Sequence, residues 1–116
     1  MRVAEPLIQT GLVGEAIENG PAMVLIADED MRYVAANVYA CEQLGYTRAE
    51  LLGLRVTDVA RYESARTEYR ELLKDGSHAG RTTIARKDGT TFEFEYRARE
   101  TTIAGVTFYV SVGWPA

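Results

Sequence analysis

The sequence predicts an α+β fold, an antiparallel sheet with helices packed over one face. Three observations carry this. Helix and strand patterns occur in the order helix, two strands, several short helices, three strands, and segregated runs of this kind pack as α+β layers. Thr91 to Thr102 alternates, with Phe92, Phe94, Tyr96 and Ala98 on one side and Glu93, Glu95, Arg97 and Arg99 on the other, the period of a half-buried strand. Just before it, Lys87-Asp88-Gly89 reads as a hairpin turn, because Asp-Gly accepts the positive φ angles a tight turn needs.

Taken in order, Glu5 to Asn19 reads as an amphipathic helix with Leu7, Ile8, Leu12, Val13 and Ile17 as its apolar stripe and Glu5, Gln9, Glu15 and Glu18 opposite. Gly11 and Gly14 weaken it, and Asn19-Gly20-Pro21 ends it. Met23 to Asp28 is a short apolar run, a buried strand. Glu29-Asp30-Met31 turns the chain into a returning strand, Arg32 to Ala35. Val38, Cys41 and Leu44 then fall at helical spacing, and Gly45 follows where a left-handed stop is easiest. Thr47 and Glu50 form a capping box that opens the next short helix. Leu51 and Leu52 supply its apolar contact, and Gly53 stops it.

Val56 to Ala60 predicts one more helical turn. Arg61 to Leu73 is the longest helix, with Tyr62, Ala65, Tyr69, Leu72 and Leu73 on its dry face, and Asp75-Gly76 ends it. Arg81 to Arg86 opens the three-strand meander. Ala104-Gly105 turns Thr91–Thr102 into the last strand, Val106 to Trp114.

Composition bounds the function. A chain of 116 residues with 47% apolar content builds one domain with a real core. The net charge of -4 argues against a nucleic-acid footprint. No apolar run approaches the roughly 18 residues of a membrane span, and Glu5 and Pro6 interrupt any signal-peptide pattern. A cytoplasmic location without membrane insertion is the expectation. The single histidine, His78, falls after Gly76 in an expected loop and offers neither a metal cluster nor a triad. The single cysteine, Cys41, reads as a buried thiol with no nearby cation to activate it. No glycine cluster precedes a helix to hold a phosphate. An enzyme is not expected, and no metal site.

A family resemblance follows from an ordered set of residues. An apolar run ends in Asp28; Asn37, Leu44-Gly45-Tyr46, Glu50-Leu51, Gly53 and Arg86-Lys87-Asp88-Gly89 follow at set spacing. Together, over roughly Ile17 to Val112, they resemble the PAS sensor domain. The resemblance implies five strands in the order 2-1-5-4-3, with a cap helix over residues 1–20 and a core over 21–114. It implies a sensory and signal-transduction module within a larger bacterial-type regulator, a kinase, cyclase or transcription factor, with an output domain as partner. It also implies a salt bridge between Glu50 and Lys87. Haem-binding members hold iron through a histidine on the helices, and Asn37 to Leu73 contain none. Flavin photochemistry needs a cysteine near Val56. Neither cofactor is expected. Members often end in Asp-x-Thr where this chain reads Gly113-Trp114-Pro115-Ala116. That departure points to a fragment that stops early, or to coupling through the N-terminal helix.

Strand parity puts side chains two apart on one face, and the resemblance, in which the residue before Asp28 points inward, makes one of those faces an inner pocket. Met23, Leu25 and Ala27 line it from the first strand, Thr82 and Ile84 from the third. Phe94, Tyr96 and Ala98 line it from the fourth, Tyr109 and Ser111 from the fifth. Cys41, Leu44 and Val56 close it from the helices. Such a pocket would take a small apolar or singly polar ligand. The alternative is a filled core in a ligand-free interaction or dimerisation module. Outside the sheet, Val24 and Ile26 join Phe108, Val110, Val112 and Trp114 in an apolar surface. The helix carrying Leu7, Ile8 and Leu12 is expected to cover it, on its own subunit or a partner's, in a homodimer.

Overall fold

In the computed structural model, which describes residues 5–60 and 74–116, helix α1 (Glu5–Glu18) leads into strands β1 (Met23–Ala27) and β2 (Tyr33–Ala36). Three short helices follow, α2 (Val38–Leu44), α3 (Arg48–Leu51) and α4 (Val56–Val59). Strands β3 (Ser77–Ala85), β4 (Thr91–Ile103) and β5 (Val106–Pro115) close the fold. All five strands form one antiparallel sheet in the order β2-β1-β5-β4-β3. The helix expected over Arg61 to Leu73 lies outside the described residues. No described helix is long and apolar enough to cross a membrane.

Local signals place the helices over the inner face. Asn37 caps α2, its side chain accepting from the Ala40 amide, and Gly45 ends the helix at φ 80°. Thr47 and Glu50 close both halves of the capping box on α3. Arg86 and Lys87, in the β3–β4 turn, reach back to α2: Arg86 Nε donates to the Gln43 carbonyl at 2.9 Å, and the Lys87 amide donates to the Leu44 carbonyl at 2.9 Å. The core sits between the two layers, with Met23, Leu44, Leu51 and Val59 fully buried. Val24 and Ile26 are only half-buried on β1, while Met23, Leu25 and Ala27 are buried. The parity read from the sequence therefore holds on that strand.

Several expectations are corrected. On α2 the dry stripe is Asn37, Ala40 and Leu44, while Val38 is exposed and Cys41 half-buried. Steps of three and seven residues return to one helical face, and a step of six drifts by about 120°. Leu51 is buried on α3, but Leu52 is exposed. Strand β2 begins one residue late, at Tyr33, because Met31 turns with φ 65° and a bulge interrupts the pairing between Ile26 and Ala27. Strand β3 starts at Ser77, four residues early, and carries His78 into the sheet opposite Ala98. The solvated loop expected there does not form.

Helix α1 departs most. Leu7, Ile8, Leu12, Val13 and Ile17 are all exposed, Leu7 at 80%. At 100° per residue they surround the helix, with no gap wider than about 100°, so they form no stripe. The outer face of the sheet is not covered by this helix, since Val112 and Trp114 remain exposed beside half-buried Val24, Ile26, Phe108 and Val110. Only the last turn of α1 is tied to the body. Asn37 Nδ2 donates to the Ile17 carbonyl at 2.7 Å, and the Glu18 carboxylate accepts from the Val38 amide and pairs with Arg48.

Candidate ligand cavity

The inner face of the sheet is set out in rows by strand register. One row runs Leu25, Ser111, Ala98, His78, and the next Met23, Gly113, Tyr96, Gly80. Tyr96 therefore stands between two glycines. Its ring stacks on Phe94, with centroids 5.4 Å apart and planes 7° apart, and tilts against His78 at 5.9 Å. A β-carbon on Gly113 would lie 2.8 Å from the Phe94 ring and 2.2 Å from the Glu95 carbonyl oxygen. The glycine is what lets the two aromatic rings lie close over the sheet.

Between this face and α4 lies a cavity of about 70 Å³. Leu25, Ala27, Tyr109 and Ser111 form its floor from β1 and β5, and Phe94, Tyr96 and Ala98 from β4. His78, Thr82 and Ile84 close one side from β3; Tyr33, Val56 and Ala60 close the other. Apart from the imidazole of His78, the lining residues bear no basic or acidic group. The wall is apolar carbon with a few hydroxyls.

Three residues expected to line the pocket do not. Met23 and Leu44 are fully buried in the packed core beneath. Cys41 packs half-buried against the edge of the core and lines an open surface cleft with Val38, Glu42, Tyr46 and Arg48. Burial pushes its thiol pKa up, against a smaller downward pull from Arg48, so it is no activated nucleophile. Tyr33, Ala60 and His78 line the cavity without having been expected there. Tyr33 was hidden by the one-residue slip of β2, and Ala60 by lying just past α4. Gly76, Ala79 and Gly80 are poor strand formers and masked the early start of β3. Alternation through Thr82 and Ile84, extended backwards, is the signal that reaches His78.

The Tyr33 hydroxyl is held above its ordinary range by burial first and by the Asp58 carboxylate second. Tyr109 is raised likewise by burial, then by Glu100 and Glu29. Both therefore stay neutral hydroxyls. Outside the cavity, the Lys87 ammonium meets the Glu50 carboxylate at 2.5 Å on the surface. Glu50 is held down at about 2, chiefly by that hydrogen bond and then by the Thr47 amide. Among the described residues no cluster of three metal-ligating side chains occurs.

A family model described as the PAS domain matches residues 21–112. The chain belongs to the PAS domain family. Solved PAS structures superimpose over nearly its whole length. A PAS domain from a two-component sensor histidine kinase gives a TM-score of 0.84 at 14% identity, covering 96% of this chain and 99% of that one. The PAS domain of an HTR-like protein from Haloarcula marismortui gives 0.79 at 22% identity, covering 99% and 98%. An RNA-binding light-oxygen-voltage receptor gives 0.80 at 21% identity; 94% of this chain matches 33% of that one. At these identities the likeness establishes the PAS fold. A comparison with curated proteins found no match. As a PAS domain, the chain is a module of the sensory and signalling class, a class whose members commonly dimerise and adjoin output domains.

Proposed function

We propose that this PAS domain senses a small, uncharged or singly polar ligand held between the sheet and α4, and relays its presence to an output domain of a larger regulator. The observation that carries the reading is the apolar cavity of about 70 Å³. Concave apolar sites with a few polar groups are the usual place for small ligands. A route outward supports it. Val56 and Ala60 touch the cavity, and the segment around them is laced to β2: the Val56 amide donates to the Met31 carbonyl at 2.8 Å and the Tyr33 amide to the Leu54 carbonyl at 3.1 Å. From β2, the Ala36 carbonyl accepts from Arg48 Nε at 3.0 Å, and Arg48 pairs with Glu18 at the base of α1. No covalent step is involved, so the module is no enzyme in this reading.

Neither haem nor flavin belongs to this reading. An apolar cavity of about 150 Å³ accommodates one benzene ring, and this one is smaller. Its described wall also has no cysteine for a flavin adduct. Self-association is a second role, favoured by the exposed Val112 and Trp114 on the outer face, a surface able to meet its own symmetry copy.

Native mass spectrometry of the purified chain and of Ala98→Leu tests the sensing role. Ala98 is buried on the cavity floor. A bound small molecule, or a ligand-dependent rise in Tm, is expected for the parent and lost in the variant. A parent that raises its Tm with no small molecule, or a filled-in variant that responds equally, defeats the reading.

A further inference from the structure

Among the described residues, two buried side-chain polar atoms have no hydrogen-bond partner, His78 Nε2 and Thr82 Oγ1. Both belong to residues that line the same cavity. Thr82 is 7% exposed. The pair lies on β3 four residues apart, on the strand's inner parity, with Gly80 between them contributing no side chain. Leaving such an atom unpaired in a protein interior forfeits the hydrogen bonds it makes in water. Two of them on residues that line one apolar cavity indicate a recognition feature.

Deepening the sensing role above, and resting on it, we infer that the ligand is a small neutral hydroxylic compound, a short-chain alcohol or diol, bound through His78 and Thr82. Three physical points select that class. A hydroxyl both donates and accepts, so it satisfies Thr82 and either tautomer of the imidazole. A ketone or ether only accepts. A carboxylate or phosphate would bring a charge into a wall that has no lysine or arginine among the described residues, where desolvation is not offset. Size sets the upper limit, since about 70 Å³ is roughly half of a cavity that holds benzene, which restricts the ligand to about five non-hydrogen atoms. Four residues along a strand span about 13 Å, so the two atoms mark separate points of contact. One hydroxyl engages one of them at a time.

His78 is the only histidine of the chain, so its imidazole resonances are identified without further assignment. The experiment titrates the full chain with 1-propanol, 1,3-propanediol, 2-propanone and propanoate, following those resonances and Tm, with xenon as a probe of the empty volume alone. The alcohols are expected to shift the imidazole signals saturably and raise Tm. The ketone should bind several-fold more weakly and propanoate not at all. Thr82→Val should weaken alcohol binding about five-fold, the loss of one hydrogen bond, and leave xenon binding unchanged. Thr82→Ser should restore it. His78→Phe provides an independent loss if the valine variant folds poorly. Xenon binding without saturable alcohol binding overturns the hydroxylic class, leaving ordered water as the partner of both atoms, while the cavity stands. Propanoate or propanone binding more tightly than the alcohols overturns it also. Failure of xenon together with every other probe removes the sensing role itself.

Discussion

Gly113 shows how little space one residue may leave. It sits on the inner face of the central strand, where a β-carbon would come 2.2 Å from the Glu95 carbonyl oxygen. Backbone cannot swing away as a flexible side chain can. Gly113→Ala is therefore expected to lower stability by about 1–3 kcal/mol, read from urea denaturation, and to unstack Phe94 from Tyr96. An unchanged midpoint would mean that the strands separate freely here. Glu50 gives a second prediction at this scale. Its folded-state pKa of about 2 lies below the ordinary 4.5, so the stabilisation it brings is full above about pH 4.5 and is lost as the pH falls toward 2. The difference in Tm between the parent and Glu50→Gln should shrink over that window. Because the pair is exposed, the difference at neutral pH is expected to be small; a gap that persists unchanged at pH 2 would place the effect elsewhere.

At the scale of elements, Asn37 joins more of the fold than any other polar side chain described. Its Oδ1 accepts from the Val24 and Ala40 amides, and its Nδ2 donates to the Ile17 and Ala22 carbonyls. One buried amide thus holds β1, α2 and the last turn of α1. Asn37→Ala removes a cap worth about 0.5–2 kcal/mol and strands buried groups besides. We expect faster amide exchange in the last turn of α1 and at Val24 together, and no change in α3. Exchange confined to α2 would mean that Asn37 is only a cap. How much of this was legible in the sequence depended on range. The capping box at Thr47, the stop at Gly45 and the Asp88-Gly89 turn are short-range signals, and each folds as its residues dictate. A period of two sorts the residues of β1 and β4 onto two faces, and the family resemblance says which face meets the helices. The start of β3 was not legible, because weak strand formers are drawn into pairing by the length of β4. Nor was the cavity side of α2, where Val38, Cys41 and Leu44 mimic a stripe that the helical pitch carries off the face.

On the scale of the whole molecule, α1 adds apolar surface without burying it. Removing residues 1–14 keeps Ile17, Glu18 and Asn37 in place and takes away side chains such as Leu7 and Leu12 that are 80% and 64% exposed. The shortened chain is expected to keep the Tm of the monomer and to gain solubility. A large loss of Tm would show that these side chains do pack, within the chain or across a dimer. The sheet order has a different consequence, for the way the chain reaches its structure. β1 is the second strand from one edge of the sheet, and its inner partner is the last strand, Met23 facing Gly113 and Ala27 facing Tyr109. The β3–β4–β5 meander joins through two tight turns and can assemble from neighbours. The β1–β5 seam has to close a loop of most of the chain, and rates fall as contacts become this non-local. On a ribosome the early strands emerge first and then wait, their central edge unmatched, until the final residues arrive. The sheet thus closes only after β5 has been made, and the two-stranded β1–β2 unit spends that interval as the segment most in need of protection from other chains.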